Sequence, residues 1–137
     1  MRRTIGAIGV ALAALALLGC EPATVTANAS TLRPACDEIT TVSGVGSPAK
    51  DIRNVVIEIQ SASGEWKPWK WFRTGASGET WVELRKSVNA DGTYSLTYYR
   101  PRPGSGTVRL RVRGTKLVSD PGGVVSKSWY VTAPVGC

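Results

Sequence analysis

The chain has 137 residues, with 17 lysines and arginines against 10 aspartates and glutamates, a formal net charge of +7 and no histidine. Without histidine there is no Ser-His or Cys-His catalytic arrangement and the commonest metal ligand is missing, so we expect no enzyme, no metal and no other cofactor. The length suits one domain, and the positive charge favours anionic surroundings such as phospholipid headgroups or wall polymers, although a soluble surface explains it equally well.

The N-terminal segment has the features of an export signal. Met1–Arg3 supplies positive charge, and Ile5–Leu18 is an apolar run of 14 residues. Such a run is shorter than the roughly 20 residues of a bilayer span but suits a secretory signal. Leu17–Cys20 resembles the lipobox of bacterial lipoproteins. The resemblance implies cleavage after Gly19, acyl chains on Cys20 and an anchor in the outer face of a bacterial cell membrane. The alternative is a secreted protein with a chance cysteine.

The next stretch predicts a linker. Residues 21–35 are small, polar and interrupted by proline, without a helical or alternating period, which is typical of a flexible tether. The sequence is thus divided into a signal peptide (1–19), a tether (20–35) and one domain (36–137).

Cys36 and Cys137 remain as an even pair in an oxidising compartment, and we predict a disulfide between them. It would close a loop of 102 residues, which the chain-entropy argument values at about 4 to 5 kcal/mol. The absence of a Cys-x-x-Cys motif leaves no indication of zinc or of a redox pair. One consideration opposes the bond: seven strictly up-and-down strands would place the two cysteines at opposite ends of a sandwich. Two free thiols therefore stay open as the alternative.

From Asp37 onward, short runs rich in β-formers alternate with turn residues, and no helical period appears. This pattern predicts an all-β antiparallel sandwich of about seven strands. The predicted strands are Glu38–Val42, Val55–Ile59, Trp66–Phe72, Thr80–Ser87, Thr93–Tyr99, Thr107–Arg113 and Val124–Thr132.

The order of several short segments adds a resemblance. Val42–Gly44, Val55–Gln60, a tryptophan after a turn, Ala90–Leu96, Arg109–Val112 and a closing Ser128–Val131 follow one another. This order resembles the bacterial immunoglobulin-like domains of exported actinobacterial proteins, over roughly residues 38–133. The resemblance implies an immunoglobulin-like sandwich with a structural, adhesive or binding role and no chemistry. Two tryptophan-bearing strands stand where the family usually has one, which suggests an enlarged region between the third and fourth strands.

The third predicted strand carries the densest group of aromatic residues. Its alternation places Trp69 and Trp71 on one face and the set Trp66, Lys70 and Phe72 on the other. A sandwich commonly buries a tryptophan of this strand, so one set belongs to the core. The other set would offer rings to sugars or to a membrane surface; we favour Trp66 and Phe72 as the outward set, but the buried face stays open.

The sixth predicted strand carries three arginines in alternation with aliphatic residues. The aliphatic set faces the core, so the arginines form an outward ladder suited to carboxylates, phosphates or acidic glycans. The alternative is a merely solvated face. In an immunoglobulin-like sandwich this strand would neighbour the third, which would join both sets into one face. The candidate binding face is Trp66, Lys70, Phe72, Arg109, Arg111 and Arg113.

These features predict a monomeric, lipid-anchored, non-catalytic module that binds an anionic wall polymer, a glycan or a surface protein. The extracytoplasmic location argues against a nucleic acid partner. The alternative function is that of a prophage-encoded surface lipoprotein that blocks infection by incoming phage (superinfection exclusion). Neighbouring phage genes would favour the second function, and a wall-synthesis or transport operon the first.

Overall fold

A computed structural model describes residues 22–30, 39–75, 78–99 and 106–133. The described residues form twelve strands and no helix, which confirms the prediction of an all-β, antiparallel fold. No membrane-spanning helix occurs in these segments. The strands are β1 (Thr24–Val25), β2 (Asn28–Ala29), β3 (Ile39–Ser47), β4 (Asn54–Gln60), β5 (Trp66–Pro68), β6 (Lys70–Gly75), β7 (Gly78–Glu83), β8 (Arg85–Ser87), β9 (Thr93–Tyr99), β10 (Thr107–Thr115), β11 (Val124–Val125) and β12 (Trp129–Thr132).

Two sheets form a sandwich-like arrangement. In the first sheet, β1 and β2 pair with one edge of β3, and β9 pairs with the other. In the second sheet, β10 lies beside β4, while β11 and β12 share the far edge of β10. β5 and β8 share the remaining edge of β4, and the strands between them, β6 and β7, form a separate two-stranded sheet.

The core lies between the two sheets and follows the two-residue alternation of the strands. The aliphatic residues of the sixth predicted strand face it, as expected, because Leu110 and Val112 are fully buried. Val42 and Leu96 come from the opposite sheet, and Ile57 from β4. Each such side chain contributes roughly 1.5 to 3 kcal/mol by leaving water.

The predicted tether is wrong for residues 22–30. Val25 is 6% exposed and belongs to the core. The amide of Thr26 donates to the carbonyl of Val45 (3.0 Å), and that of Ser30 to Thr41 (3.0 Å). Two-residue strands show no period in a sequence, and both of these pair with the edge of β3.

Two predicted strands, Trp66–Phe72 and Thr80–Ser87, are each interrupted in the middle. The interruptions meet at Ile57, whose carbonyl accepts from the amide of Trp69 (2.9 Å) and whose amide donates to the carbonyl of Leu84 (2.9 Å). The amide of Leu84 donates in turn to the carbonyl of Trp69 (3.2 Å). Beyond this junction β6 pairs with β7, and we call residues 70–83 the arm. The last predicted strand is also divided, into β11 and β12.

The expectation that the sandwich begins and ends at opposite ends is wrong for the described strands. β3 runs from Ile39 to Ser47, β4 returns from Asn54, and Asn54 pairs with Thr115 at the end of β10. At the other end of β10, Thr107 pairs with Thr132. The start of β3 and the end of β12 therefore share one end. The expectation failed because two of the seven predicted strands are one: β5 and β8 run along β4 as a single interrupted strand, and the arm leaves the sheet between them.

Candidate functional site

The arginine ladder lies on the outer face of the second sheet, but two of its members are engaged by one carboxylate. Glu58 sits opposite Arg111 on the neighbouring strand and is 4% exposed. Its Oε1 accepts from Nε of Arg111 at 2.9 Å, and its Oε2 accepts from Nε of Arg113 at 3.0 Å. Such charge-assisted bonds fix both guanidinium groups. The arginines lie on the outer face, but Arg111 and Arg113 are paired with Glu58 and not left open to an anionic ligand.

Arg113 is held further by the backbone. Its Nη1 donates to the carbonyls of Asp120 (3.2 Å) and Gly122 (2.9 Å). These bonds attach the loop that follows β10 to the face of the sheet. Arg113 therefore has a structural role.

Arg109 has a different environment. Its Nε donates to Oγ of Ser128 at 2.8 Å, and its Cζ lies 5.8 Å from the centre of the Trp66 ring and 5.6 Å from that of Tyr130. Within the described residues, no carboxylate pairs with it and no group accepts a hydrogen bond from its Nη atoms. We call Trp66, Arg109, Ser128 and Tyr130 the Arg109 cluster. Its two rings and Ser128 orient a guanidinium whose Nη groups can bind an anion.

Trp66 reaches the arginines across an intervening strand. It pairs with Gln60 of β4, and β4 separates it from β10. The expected direct adjacency of the third and sixth predicted strands is therefore wrong, because the strand count omitted the N-terminal strands. The ring nevertheless covers Arg111, with Cζ 4.3 Å from its centre, in addition to approaching Arg109.

The structure answers which tryptophan of this segment is inward. Trp69 packs against the core, where its ring lies 5.6 Å from that of Tyr98, and Trp66 lies on the outer face. The interruption at Trp69 ends the simple alternation. Lys70 is exposed at the base of the arm, opposite Glu83, and does not belong to the Arg109 cluster. Phe72 pairs with Trp81 in the arm, and its side chain lies outside the described residues.

The sequence reasoning missed two members of the cluster, Ser128 and Tyr130. Tyr130 pairs directly with Arg109 and is 59% exposed. Alternation along the last predicted strand, with Trp129 facing inward and Tyr130 outward, was the available signal. Only the register between β10 and β12 shows that the ring stands beside Arg109.

The titratable side chains whose pKa is shifted lie in the core or in a turn, and the cause of each shift is structural. Burial raises the pKa of Tyr94 and of Tyr98 above the usual value, and the hydrogen bond from Trp129 opposes the shift at Tyr98. A hydrogen bond from the Thr93 hydroxyl lowers the pKa of Asp91 in an exposed turn.

Among the described residues, no three acidic or cysteine side chains gather as they would around a metal ion. Cys20, Cys36 and Cys137 lie outside the described residues.

No protein family and no curated protein matches the chain. Among solved structures, the human F-spondin reeler domain is similar, at 8% sequence identity and a TM-score of 0.44, over 80% of this chain and 89% of that one. The Reelin-N domain of F-spondin is similar at 8% identity and a TM-score of 0.40, over 82% of this chain and 86% of that one.

Proposed function

We propose that this protein is a bacterial lipoprotein whose sandwich binds an anionic polymer of the cell envelope through the Arg109 cluster. In this proposal the signal peptide is removed after Gly19, acyl chains on Cys20 hold the protein on the outer face of the cell membrane, and the domain acts as a monomer by binding rather than by catalysis. The apolar run before the lipobox-like Leu17–Cys20 supports the anchor.

The observation that carries the ligand class is the state of Arg109. Its Nε is occupied by Ser128, two rings flank the group, and no carboxylate of the described residues neutralises it. By contrast, Arg111 and Arg113 share Glu58. Three guanidinium groups with one carboxylate leave an excess positive charge at the position of Arg109. Phosphate or carboxylate groups of a polymer match this geometry best.

We also propose that the sandwich is of the immunoglobulin-like type. An immunoglobulin-like sandwich is supported by the strand order, since β3 lies between β9 and the N-terminal strands, and β10 lies between β4 and β12. These neighbours correspond to the two sheets of that architecture. The arm then stands where the sequence suggested an enlarged region.

The test of the ligand site is co-sedimentation of the exported protein with isolated cell walls at several salt concentrations. Arg109→Gln should weaken binding about tenfold, because charge-assisted bonds contribute about 1.5 to 3 kcal/mol, and should reduce the salt dependence. Lys67→Gln is the matched control, since it removes one exposed charge whose contact with Glu65 is 3.8 Å long. An Arg109→Gln protein that sediments like the parent at every salt concentration would overturn the proposal.

The anchor is tested separately. Mass spectrometry of the exported protein should find an N-terminal Cys20 carrying acyl chains, and Cys20→Ser should leave uncleaved precursor or release the domain from membranes. A mature N-terminus without lipid would refute the anchor and leave the Arg109 cluster to be judged by the sedimentation assay alone.

A further inference from the structure

The described fold begins close to the proposed lipid. Thr24, the first residue of β1, is only four positions after Cys20. Four residues span at most about 14 Å. If Cys20 carries the anchor, the end of the sandwich at which β1 starts is held near the bilayer. We call this the anchor end; β3 ends there at Ser47, β4 starts there at Asn54, and β10 ends there at Thr115.

Exposed apolar side chains concentrate at the anchor end. Five large hydrophobic residues are exposed in the described part of the chain, and four of them lie here. Leu117 (59% exposed) and Val118 (54%) occupy the loop that leaves β10, Val125 (46%) is in β11, and Val45 (42%) lies two residues before the end of β3. Scattered exposed hydrophobics are ordinary, but a group of four beside an anchor indicates an apolar contact surface.

Positive charge surrounds these residues. Lys50, Arg53, Lys116 and Lys127 are exposed, and none forms an ion pair within the described residues. The nearby carboxylates are engaged locally: Asp120 accepts from the amide of Leu117 (3.0 Å), and Asp91 accepts from Thr93. Asp51 is the other acidic residue of the described loops at this end. The cations therefore outnumber the free carboxylates at this end.

An apolar groove continues the surface. It is lined by residues 23–28, residues 123–125 and Lys127, and it has a volume of about 680 Å³. Val125, one of the four exposed apolar residues, and Lys127, one of the four cations, both line it. Apolar side chains flanked by lysines match the boundary between the headgroups and the acyl chains of an anionic bilayer.

We infer that the anchor end docks on an anionic phospholipid bilayer, with Leu117 and Val118 among the headgroups and Lys116 and Lys127 on lipid phosphates. This inference rests on the proposed lipid anchor, which keeps the surface within reach of the membrane. Arg109 lies six positions before Thr115 along β10, about 20 Å further from the bilayer. Docking thus presents the Arg109 cluster toward the envelope and away from the membrane.

The test is hydrogen exchange of the exported protein in vesicles of phosphatidylglycerol, compared with phosphatidylcholine vesicles. Peptides covering residues 116–119 and 124–127 should exchange more slowly on the anionic vesicles, and peptides covering 107–110 should not. Lys116→Glu should shift the ratio of docked to undocked protein about fivefold or more, and Leu117→Ser with Val118→Ser about tenfold. Lys67→Glu, the same charge reversal at the far end of the sheet, should leave docking unchanged.

The outcomes separate the two proposals. Equal exchange of residues 116–127 on both vesicle types would overturn docking even if mass spectrometry finds the lipid on Cys20. If the exported protein proves to carry no lipid, the anchor fails. Salt-dependent sedimentation of that unlipidated protein with phosphatidylglycerol vesicles, weakened by Lys116→Glu but not by Lys67→Glu, would still support the surface, and sedimentation equal to that with phosphatidylcholine would overturn it.

Discussion

The hydroxyl of Tyr94 donates a hydrogen bond to the backbone carbonyl of Thr26 and thereby attaches the N-terminal strands to the first sheet. Gly44 makes the approach possible, because a Cβ at that position would lie 2.0 Å from the Thr26 carbonyl oxygen and 2.8 Å from the Tyr94 hydroxyl. The segment between the proposed anchor and the core is therefore held by a buried side chain two sheet strands away.

Tyr94→Phe should destabilise the protein by about 1 to 3 kcal/mol, because the Thr26 carbonyl loses its partner at a partly buried position. Hydrogen exchange of the Thr26 and Ser30 amides should accelerate more than that of β4. Urea unfolding and exchange measure the two effects. Tyr130→Phe is the matched control, since Tyr130 is exposed, and it should leave stability within about 0.5 kcal/mol. Equal losses in both variants would contradict a specific role of the Tyr94 hydroxyl.

Alkaline pH should weaken the fold through the same residue. Burial raises the pKa of Tyr94 in the folded protein above the usual value near 10. The unfolded chain then loses the proton first, so the stabilising contribution is complete below about pH 10 and declines as the pH rises beyond it. The urea midpoint of the parent should fall more steeply between about pH 9 and about pH 11 than that of Tyr94→Phe. If the urea midpoints of the two proteins fall in parallel with pH, ionisation of Tyr94 does not contribute to the loss of stability.

Glu58→Gln should cost about 3 kcal/mol, because two guanidinium groups lose the charge of one buried carboxylate. Glu83→Gln is the control: Glu83 bonds Arg85 at the same 2.9 Å, but its side chain is 37% exposed against 6% for Glu58. Exposed pairs contribute about 0 to 1 kcal/mol. Thermal or urea unfolding of both variants checks the difference, and a loss at Glu83 as large as that at Glu58 would contradict the argument.

Alternation along single strands predicted much of the fold correctly. Leu110 and Val112 face the core and Arg109 faces outward, as a period of two requires. All seven predicted strands are present: Thr93–Tyr99 has its predicted bounds, three have shifted ends and three are divided into two pieces, and the all-β class follows from them. What failed depends on pairing between distant segments: β1 and β2 are strands only because the edge of β3 accepts them.

The candidate site shows the same division. Period-two reasoning placed the arginines on one face, but it could not find Glu58, whose partnership with Arg111 depends on the register of β4 against β10. Nor could it place Tyr130 beside Arg109, which depends on the register of β12. Trp66 and Arg109 meet across β4, a contact between residues 43 positions apart that no local pattern indicates.

The disulfide between Cys36 and Cys137 stays a prediction, since both residues lie outside the described part of the chain. Ile39 and Thr132, which flank them, lie at the same end of the sandwich, so topology no longer opposes the bond. Non-reducing peptide mapping of the exported protein should recover the two cysteines in one linked pair, and reduction should cost up to about 4 to 5 kcal/mol. Two thiols that react with an alkylating reagent in the native monomer would exclude the bond.

Removal of the arm should leave the sandwich folded. The six residue pairs of the arm, from Lys70 with Glu83 to Gly75 with Gly78, join its own two strands. The base is closed independently by the bonds that connect Ile57, Trp69 and Leu84. Because β5 and β8 run in the same direction along β4, residues 70–83 can be replaced by Gly-Gly, whose permissive backbone can join Trp69 to Leu84 without reversing the chain. We expect the shortened protein to unfold cooperatively, with β4 amides as protected as in the parent.

The shortened protein also decides whether Lys70 and Phe72 belong to the binding face that the sequence predicted. If the Arg109 cluster suffices, the protein should sediment with cell walls like the parent at each salt concentration, and Arg109→Gln should weaken both proteins equally. If binding falls although β4 stays protected, the arm supplies part of the face and the cluster alone is insufficient. A separate loss on Arg109→Gln would then show that both contribute, because independent sites have additive effects.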